Sequence, residues 1–420
     1  MINKSYFSMD ELLNDKNHFL TKLNSILIII FPITLLMGSL VSNLAVTLVS
    51  IFFLIDVSLK KKGDIFKDQN FYFLLIIYFY LILNAIFVAN NSDSIIRAVG
   101  FIRFVLFAYA VSFYLFYFKK IIVKFWVIIF FIVSFDILFE YFLGKNLLGY
   151  ESVYPGRIAS FTGDEMKIGN FYFAFIFICL SFFREKNEKL FIFLFVFFLI
   201  ISLLIGERSN FLKILIMYFI FILFFYETTR LKKVIFFSSI LVFIISIISI
   251  NPQLSSKFTK HIYGELDYNS LINNKIDTED LIKNNKYFAH YNTAKNIFKE
   301  NMIFGSGLKT FRIESYKNEL NLLPGGFGGG NHPHQLHFEL LSELGIIGYL
   351  LIISNLLLIL IKQKNIKGDF LKIAGFLYVI ANLIPILPSG SFFTSYAASF
   401  FWLNYSFLLK VDSNKQKKKE

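Results

Sequence analysis

Apolar residues recur along this chain in long blocks, each bounded by a short polar stretch. A helix needs roughly 20 apolar residues to cross the hydrocarbon core of a bilayer. Read against that length, the runs fall at residues 25–41, 43–59, 71–89, 99–118, 125–143, 168–183, 190–206, 211–226, 233–250, 345–361, 370–386 and 392–409. The pattern predicts an all-α polytopic membrane protein of about twelve transmembrane helices, with a large segment between spans nine and ten. The first run starts too late for a cleaved signal peptide, and another span follows it. Residues 1–24 are polar and mildly amphipathic, which suits the membrane surface.

Composition agrees. Hydrophobic residues make up 56% of the chain and charged residues only 17%, against about 45–50% and about 25% in soluble domains. That leaves too little polar surface for a water-soluble fold. The single cysteine, Cys179, lies inside an apolar run, so no intramolecular disulfide can form.

The net charge of +13 could suggest nucleic acid, but its placement argues for orientation instead. Cytoplasmic loops of membrane proteins are enriched in Lys and Arg. With the N-terminus inside, the inner segments hold 25 of the 42 basic residues, and every inner segment is basic. The short outer loops 38–43, 89–94 and 387–391 hold none. An even number of spans with both ends inside follows. The chain thus divides into a cytoplasmic segment 1–24, spans one to nine over 25–250, an outer segment 251–344, spans ten to twelve over 345–409, and a basic cytoplasmic tail 410–420. Within the outer segment, 286–300 reads as an amphipathic helix, Gly-rich 325–331 as a loop, and 332–345 as a helix leading into span ten.

Chemistry-bearing residues gather on the outer side. The densest cluster runs from Asn331 through His332, Pro333, His334, Gln335 and His337 to Glu339. Pro333 suits the first position of a helix, which would put His334 in the first turn, beside unpaired backbone N–H groups. The positive helix end favours a neutral histidine and attracts phosphate. That arrangement suits a general base next to an anionic leaving group; capping of the helix by these histidines is the other reading. A zinc-protease pattern is absent, and Glu339 is spaced off the face shared by His334 and His337, so no metal is expected. Arg157 and Arg208 lie in two further outer segments, and arginine is suited to bidentate phosphate recognition. Snorkelling, or pairing with Glu207, Asp164 or Glu165, is the alternative. In the membrane, Asp136 and Glu140 share a helical face of span five, and Arg97 and Arg103 lie near or within span four, which reads as an internal ion-pair network or an ion path.

Together these stretches resemble a known family. HPHQLHFELLSELGIIGYL is similar to the signature of the O-antigen ligase family, a His-Pro-His-Asn followed by Glu and then Glu-x-Gly. AKNIFKENMIFGSGLKTF resembles the family's preceding helix and turn. GRIASFTGDEMKIGNF and GERSNFL resemble its two arginine-bearing outer segments, and LIPILPSGSFF its last outer turn. Gln335 stands where Asn is usual, and Met302-Ile303 replaces Pro-Leu. The resemblance implies a multi-pass enzyme of the bacterial inner membrane, needing no metal or other cofactor, with its active site facing the periplasm. It implies a glycan donor linked to undecaprenyl diphosphate and, for a ligase, a lipid A–core acceptor; a polymerase of the same superfamily would join two lipid-linked repeat units. Carried over, His334 is the base, Arg157 and Arg208 bind the diphosphate, and Asn331, Pro333 and Gln335 support the helix start. A polysaccharide or lipid transporter would instead need polar residues through the bundle and two similar halves, and no such symmetry is evident in the sequence.

Overall fold

The computed structural model describes residues 19–60, 63–154, 156–165, 167–184, 187–255, 258, 286–317, 329–363, 366–385 and 387–409. Residues 1–18, the first four glycine-loop residues 325–328 and the tail 410–420 lie outside them. The described residues form helices and contain no β-strand beyond one isolated bridge, Lys145 to Glu151. Five helices are long and apolar enough to cross a membrane, and shorter apolar helices accompany them. The chain is therefore an all-helical, multi-pass membrane protein.

The described residues begin with α1 (Phe19–Ile29) and α2 (Phe31–Leu36). The first apolar run is thus not one helix. Pro32 sits at the start of α2, and its missing N–H and its ring interrupt the preceding turn. α3 (Ser39–Leu59) and α4 (Gln69–Asn84) follow; α4 ends in a π-helical turn, Ala85–Ala89. After α5 (Ser92–Gly100) comes α6 (Ile102–Leu143), 42 residues long. The inner loop expected at residues 119–124 is helical here. No Gly or Pro occurs in this stretch, and lysine is a good helix former. At about 1.5 Å per residue such a helix is roughly twice the hydrocarbon thickness. A kink at Phe118 (φ −122°, ψ 19°) divides it where the two apolar runs meet.

α7 (Ile168–Arg184), α8 (Glu188–Leu204), α9 (Arg208–Phe224), α10 (Arg230–Ile250) and the short α11 (Pro252–Ser255) complete the first part. Between lipid-soluble helices there is little hydrophobic drive to associate, so packing carries the contacts. The aromatic excess supplies it: Phe130 lies 4.6 Å from the ring of Tyr172 and 5.0 Å from that of Phe198. Only Ile240 and Ile244 of α10 are buried, so α10 turns most of its surface outward.

α12 (Lys286–Glu300) and α13 (Phe311–Glu314) precede α14 (Leu336–Ile361), α15 (Phe370–Leu383) and α16 (Ser395–Ser406). α14 is broken at Gly345 (φ 63°, ψ −169°), the residue at which the apolar run begins. A break frees backbone groups, and inside a membrane these must be satisfied by protein. Residues 302–307 do this. Ser306 N donates to Ser342 O at 2.9 Å and Gly307 N to Glu343 O at 2.9 Å, while Ile346 N donates to Met302 O at 2.9 Å. The approach is so close that a Cβ on Gly345 would meet Ile303 O at 2.3 Å, and one on Gly305 would meet the Glu343 carbonyl carbon at 2.4 Å. Asn84 fastens the same segment to α4, donating to Phe304 O and accepting from Leu308 N, both at 2.8 Å.

Gly345→Ala is expected to destabilise the protein by at least about 1–3 kcal/mol, because its backbone conformation is nearly exclusive to glycine and the clash adds to that. Thermal unfolding of the purified protein in detergent checks this; a midpoint equal to wild type contradicts the account of the break.

Candidate active site

The turn before α14 is the centre of the site. Pro333 is not the first helical residue. α14 begins at Leu336, and Gln335 is its cap, the side-chain Oε1 accepting from Phe338 N at 2.9 Å. His334 therefore stands outside the helix, not in its first turn. Two bonds hold it there: the Gln335 cap, and Ser389 N, which donates to His334 O at 2.7 Å. His334 adopts φ 57° as a result. A left-handed conformation is uncommon outside glycine, though less so for histidine; such strain collects at functional turns and persists when the surroundings over-determine it. Asn331 at the start of the turn is exposed, and Pro333 is buried. The phosphate-binding helix end expected here is changed too, because Gln335 occupies the N–H of Phe338.

Around His334 the structure gathers aromatic rings. His332 lies 4.0 Å away between ring centroids, His290 5.2 Å and Tyr287 5.8 Å. Tyr287 and His290 come from α12, which packs on α14 through the stacked pair Tyr291 and Phe338, 4.8 Å apart. His290 is buried at 1% exposure, and the sequence reading had not singled it out. Its signal was there: it shares the apolar face of the amphipathic helix 286–300. Burial, and next the charge of Lys309, lower the His332 pKa from its ordinary 6.5 to about 4. His332 is thus neutral at neutral pH and adds no charge beside His334. His337 sits away from this group, with Nε2 2.8 Å from Leu383 O and Nδ1 3.2 Å from the Tyr349 hydroxyl. It ties α14 to α15. Among the described residues, no group of three or more His, Cys, Asp or Glu side chains is placed to hold a metal ion.

Under the turn lies a buried charged group. Glu339, Glu343 and Lys309 are at most 4% exposed. Glu339 Oε2 accepts from Phe392 N at 2.8 Å, and Oε1 accepts from the Ser391 hydroxyl and lies 3.5 Å from Lys309 Nζ. Lys309 Nζ also donates to Ser391 Oγ at 2.6 Å. Glu343 accepts from Lys309 N at 2.9 Å and Phe311 N at 3.4 Å. These bonds hold the 302–311 segment and the turn after α15 against α14.

The arginines are held separately. Arg208 is the first residue of α9, behind Gly206 (φ 76°) and Glu207. Glu207 is buried and bridges two helices, accepting from Gly169 N at 3.2 Å and from the Asn210 amide at 2.6 Å. Arg157 is exposed in the loop after α6. Asp136 and Glu140 shape that loop, and they do so through hydrogen bonds with its backbone and Ser160. Asp136 accepts from Leu147 N at 2.7 Å and Ser160 Oγ at 2.6 Å; Glu140 accepts from Ala159 N at 2.9 Å and Ser160 N at 2.6 Å. The ion-pair network with Arg97 and Arg103 is not formed: Arg103 donates to Gly100 O and Ser395 Oγ. The Arg157 loop reaches the Arg208 turn through Ile158 N, which donates to Ile205 O at 3.1 Å. Arg157 lines a cleft of about 270 Å³ with Glu140, Glu151 and Asn251. Neither Arg208 nor His334 lines that cleft, so the structure brings the two arginine segments together but does not put Arg157 and His334 in one pocket.

What the fold and site define is a polytopic membrane protein with a strained, ring-packed histidine turn and two arginine-bearing segments bonded to each other. Residues 171–353 match the family model described as O-Antigen ligase. Over that stretch the chain is similar to the O-antigen ligase family. The match runs from within α7 to within α14. It includes Arg208, His334, Glu339 and Glu343, and leaves Arg157 outside. No curated protein matches the chain.

His332 gives a pH signature. The unfolded chain binds this proton near 6.5 and the folded protein only near 4. Between those values the unfolded state holds more protons, so stability falls as pH drops from about 6.5 towards 4 and is unaffected by this group above that window. His332→Phe should flatten that part of the curve of thermal midpoint against pH. An unchanged slope contradicts the burial of a neutral His332.

Proposed function

We propose that this protein is an O-antigen ligase. It transfers a glycan from undecaprenyl diphosphate to a sugar hydroxyl of lipid A–core, on the periplasmic face of the bacterial inner membrane and without a metal. The chain crosses the membrane twelve times with both ends cytoplasmic, and residues 251–344 face the periplasm; the placement of lysine and arginine supports this. The observation that carries the proposal is that one stretch matching the family, residues 171–353, contains both Arg208 and the pinned His334 turn.

The acceptor hydroxyl gives its proton to His334 while its oxygen attacks the anomeric carbon of the donor sugar. The bond from that carbon to the diphosphate oxygen breaks, and the negative charge passes to the diphosphate. Arg157 and Arg208 meet that charge, which is where fixed positive groups stabilise a transition state. A histidine ring held by the turn and packed against its neighbours loses little freedom when the acceptor arrives. Neutral His332 beside it places no positive charge against the proton that His334 takes up.

Arg157→Ala and Arg208→Ala are expected to reduce transfer tenfold or more, since a charge-assisted contact contributes about 1.5–3 kcal/mol. Arg→Lys should restore activity only in part, because the planar fork is lost. The assay is transfer of lipid-linked glycan to lipid A–core by purified protein. Full activity in an alanine variant removes that arginine from the site. In a deletion strain, the expected result is uncapped lipid A–core with lipid-linked polymer retained. Capping by single repeat units would make the protein a polymerase instead.

A further inference from the structure

Lys213 lies in the second turn of α9, inside an apolar helix. It is 4% exposed. Among the described residues its ammonium makes no hydrogen bond and no ion pair; its one polar contact is with the face of the Phe173 ring, 5.5 Å from the centroid. A lysine withdrawn into a membrane protein without a partner is costly, and such residues mark functional sites. A neutral packing residue would serve α9 better, so the charge calls for a ligand.

Lys213 faces a cavity of about 40 Å³, shared with Asn170, Leu336, Asn382, Ser389 and Gly390. That holds about three waters, or the oxygens of one phosphate group. Two features make it a binding cavity. Among the described residues no carboxylate lines it, so none of them neutralises the lysine. The Ser389 hydroxyl is buried and has no hydrogen-bond partner. An ammonium and an unused hydroxyl facing the same small, largely apolar cavity fit an oxyanion, which accepts from both.

The cavity also lies between the two halves of the site. Ser389 is the residue whose N–H holds His334, and Leu336 opens the helix that follows that turn. On the other side, Asn170 follows Gly169, which is bonded to Glu207 beside Arg208. An anion here would touch the Arg208 helix and the His334 turn together. The helix end before α14, by contrast, has its Phe338 N–H taken by Gln335.

We propose that Lys213 and the Ser389 hydroxyl form a phosphate subsite for the lipid diphosphate of the glycan donor, one that adds to Arg157 and Arg208. This rests on the ligase reading for the identity of the lipid, but not for the binding itself. The subsite explains why α9 keeps a buried charge, and it ties donor binding to the position of His334 through Ser389.

The test is lipid binding to the full-length protein in nanodiscs, with undecaprenyl diphosphate, undecaprenol and phosphatidylglycerol as probes. Lys213→Met keeps the length of the side chain and removes the charge. It should weaken undecaprenyl diphosphate binding about tenfold or more, the loss expected for one charged hydrogen bond, and leave undecaprenol unchanged. Its thermal midpoint should equal or exceed wild type, because an unpaired buried charge is gone. Ser389→Ala should weaken the same lipid by a smaller factor. Diphosphate affinity equal to wild type in Lys213→Met overturns the subsite. A lowered midpoint with all three lipids weakened would make Lys213 a structural residue, and an equal loss for phosphatidylglycerol would make the site a general headgroup contact. Transfer by the wild-type protein is measured separately: its absence would end the ligase reading and leave the binding result standing.

Discussion

Glu339 and Glu343 lie on one buried face of α14, and the segments around the site are held by what they accept. Glu339 takes the Phe392 N–H and the Ser391 hydroxyl; Glu343 takes the N–H groups of Lys309 and Phe311. Two carboxylates and one lysine at this burial would be unfavourable without those donors, because desolvation of the charges exceeds what a single ion pair returns. The hydrogen bonds change the balance. With them satisfied, the 302–311 segment can cross the break at Gly345, and the turn after α15 can reach back to bond His334. Removing Glu339 would cost Lys309 its ion pair and leave the Phe392 N–H without its acceptor, and removing Glu343 would do the same to the N–H groups of Lys309 and Phe311, so the histidine turn depends on carboxylates that do not touch it.

The same logic organises the arginine side. Asp136 and Glu140 bind the loop after α6 through its backbone, and Glu207 bridges the starts of α7 and α9. Asp136 and Glu140 accept from a loop, and Glu207 accepts from the first turns of two helices. The positively charged residues then remain available: Arg157 is exposed, and Lys213 faces a cavity. The molecule separates the acids that hold its loops from cations that can face a ligand.

The apolar periodicity made the helices legible, because a block of apolar residues long enough to cross a bilayer has few alternatives to a helix. Each of the runs overlaps a helix among the described residues. What the runs could not show was where a helix continues through lysines, as α6 does past Phe118. The candidate site was legible as a set of residue types and was misread in detail. Pro333 was placed at the helix start by its local preference, but a side-chain cap from Gln335 and a distant N–H from Ser389 override that preference. Asp136 and Glu140 were read against charged partners, although their partners are the Ser160 hydroxyl and backbone groups, and the latter carry no sequence signal. Lys213 was passed over because a lone polar residue on an apolar helix declares nothing until the fold shows what it faces.

The central claim is that His334 is the group that takes the proton from the acceptor, on a turn whose other histidines do not share that task. Single-turnover transfer with donor already bound to the purified protein separates chemistry from binding. The account expects His334→Ala to lose about 10²–10⁴-fold in rate while donor affinity stays near wild type, and His337→Ala, which removes only a tie between α14 and α15, to retain most of its rate. Near wild-type turnover in His334→Ala, with the rate lost in His337→Ala instead, would contradict it.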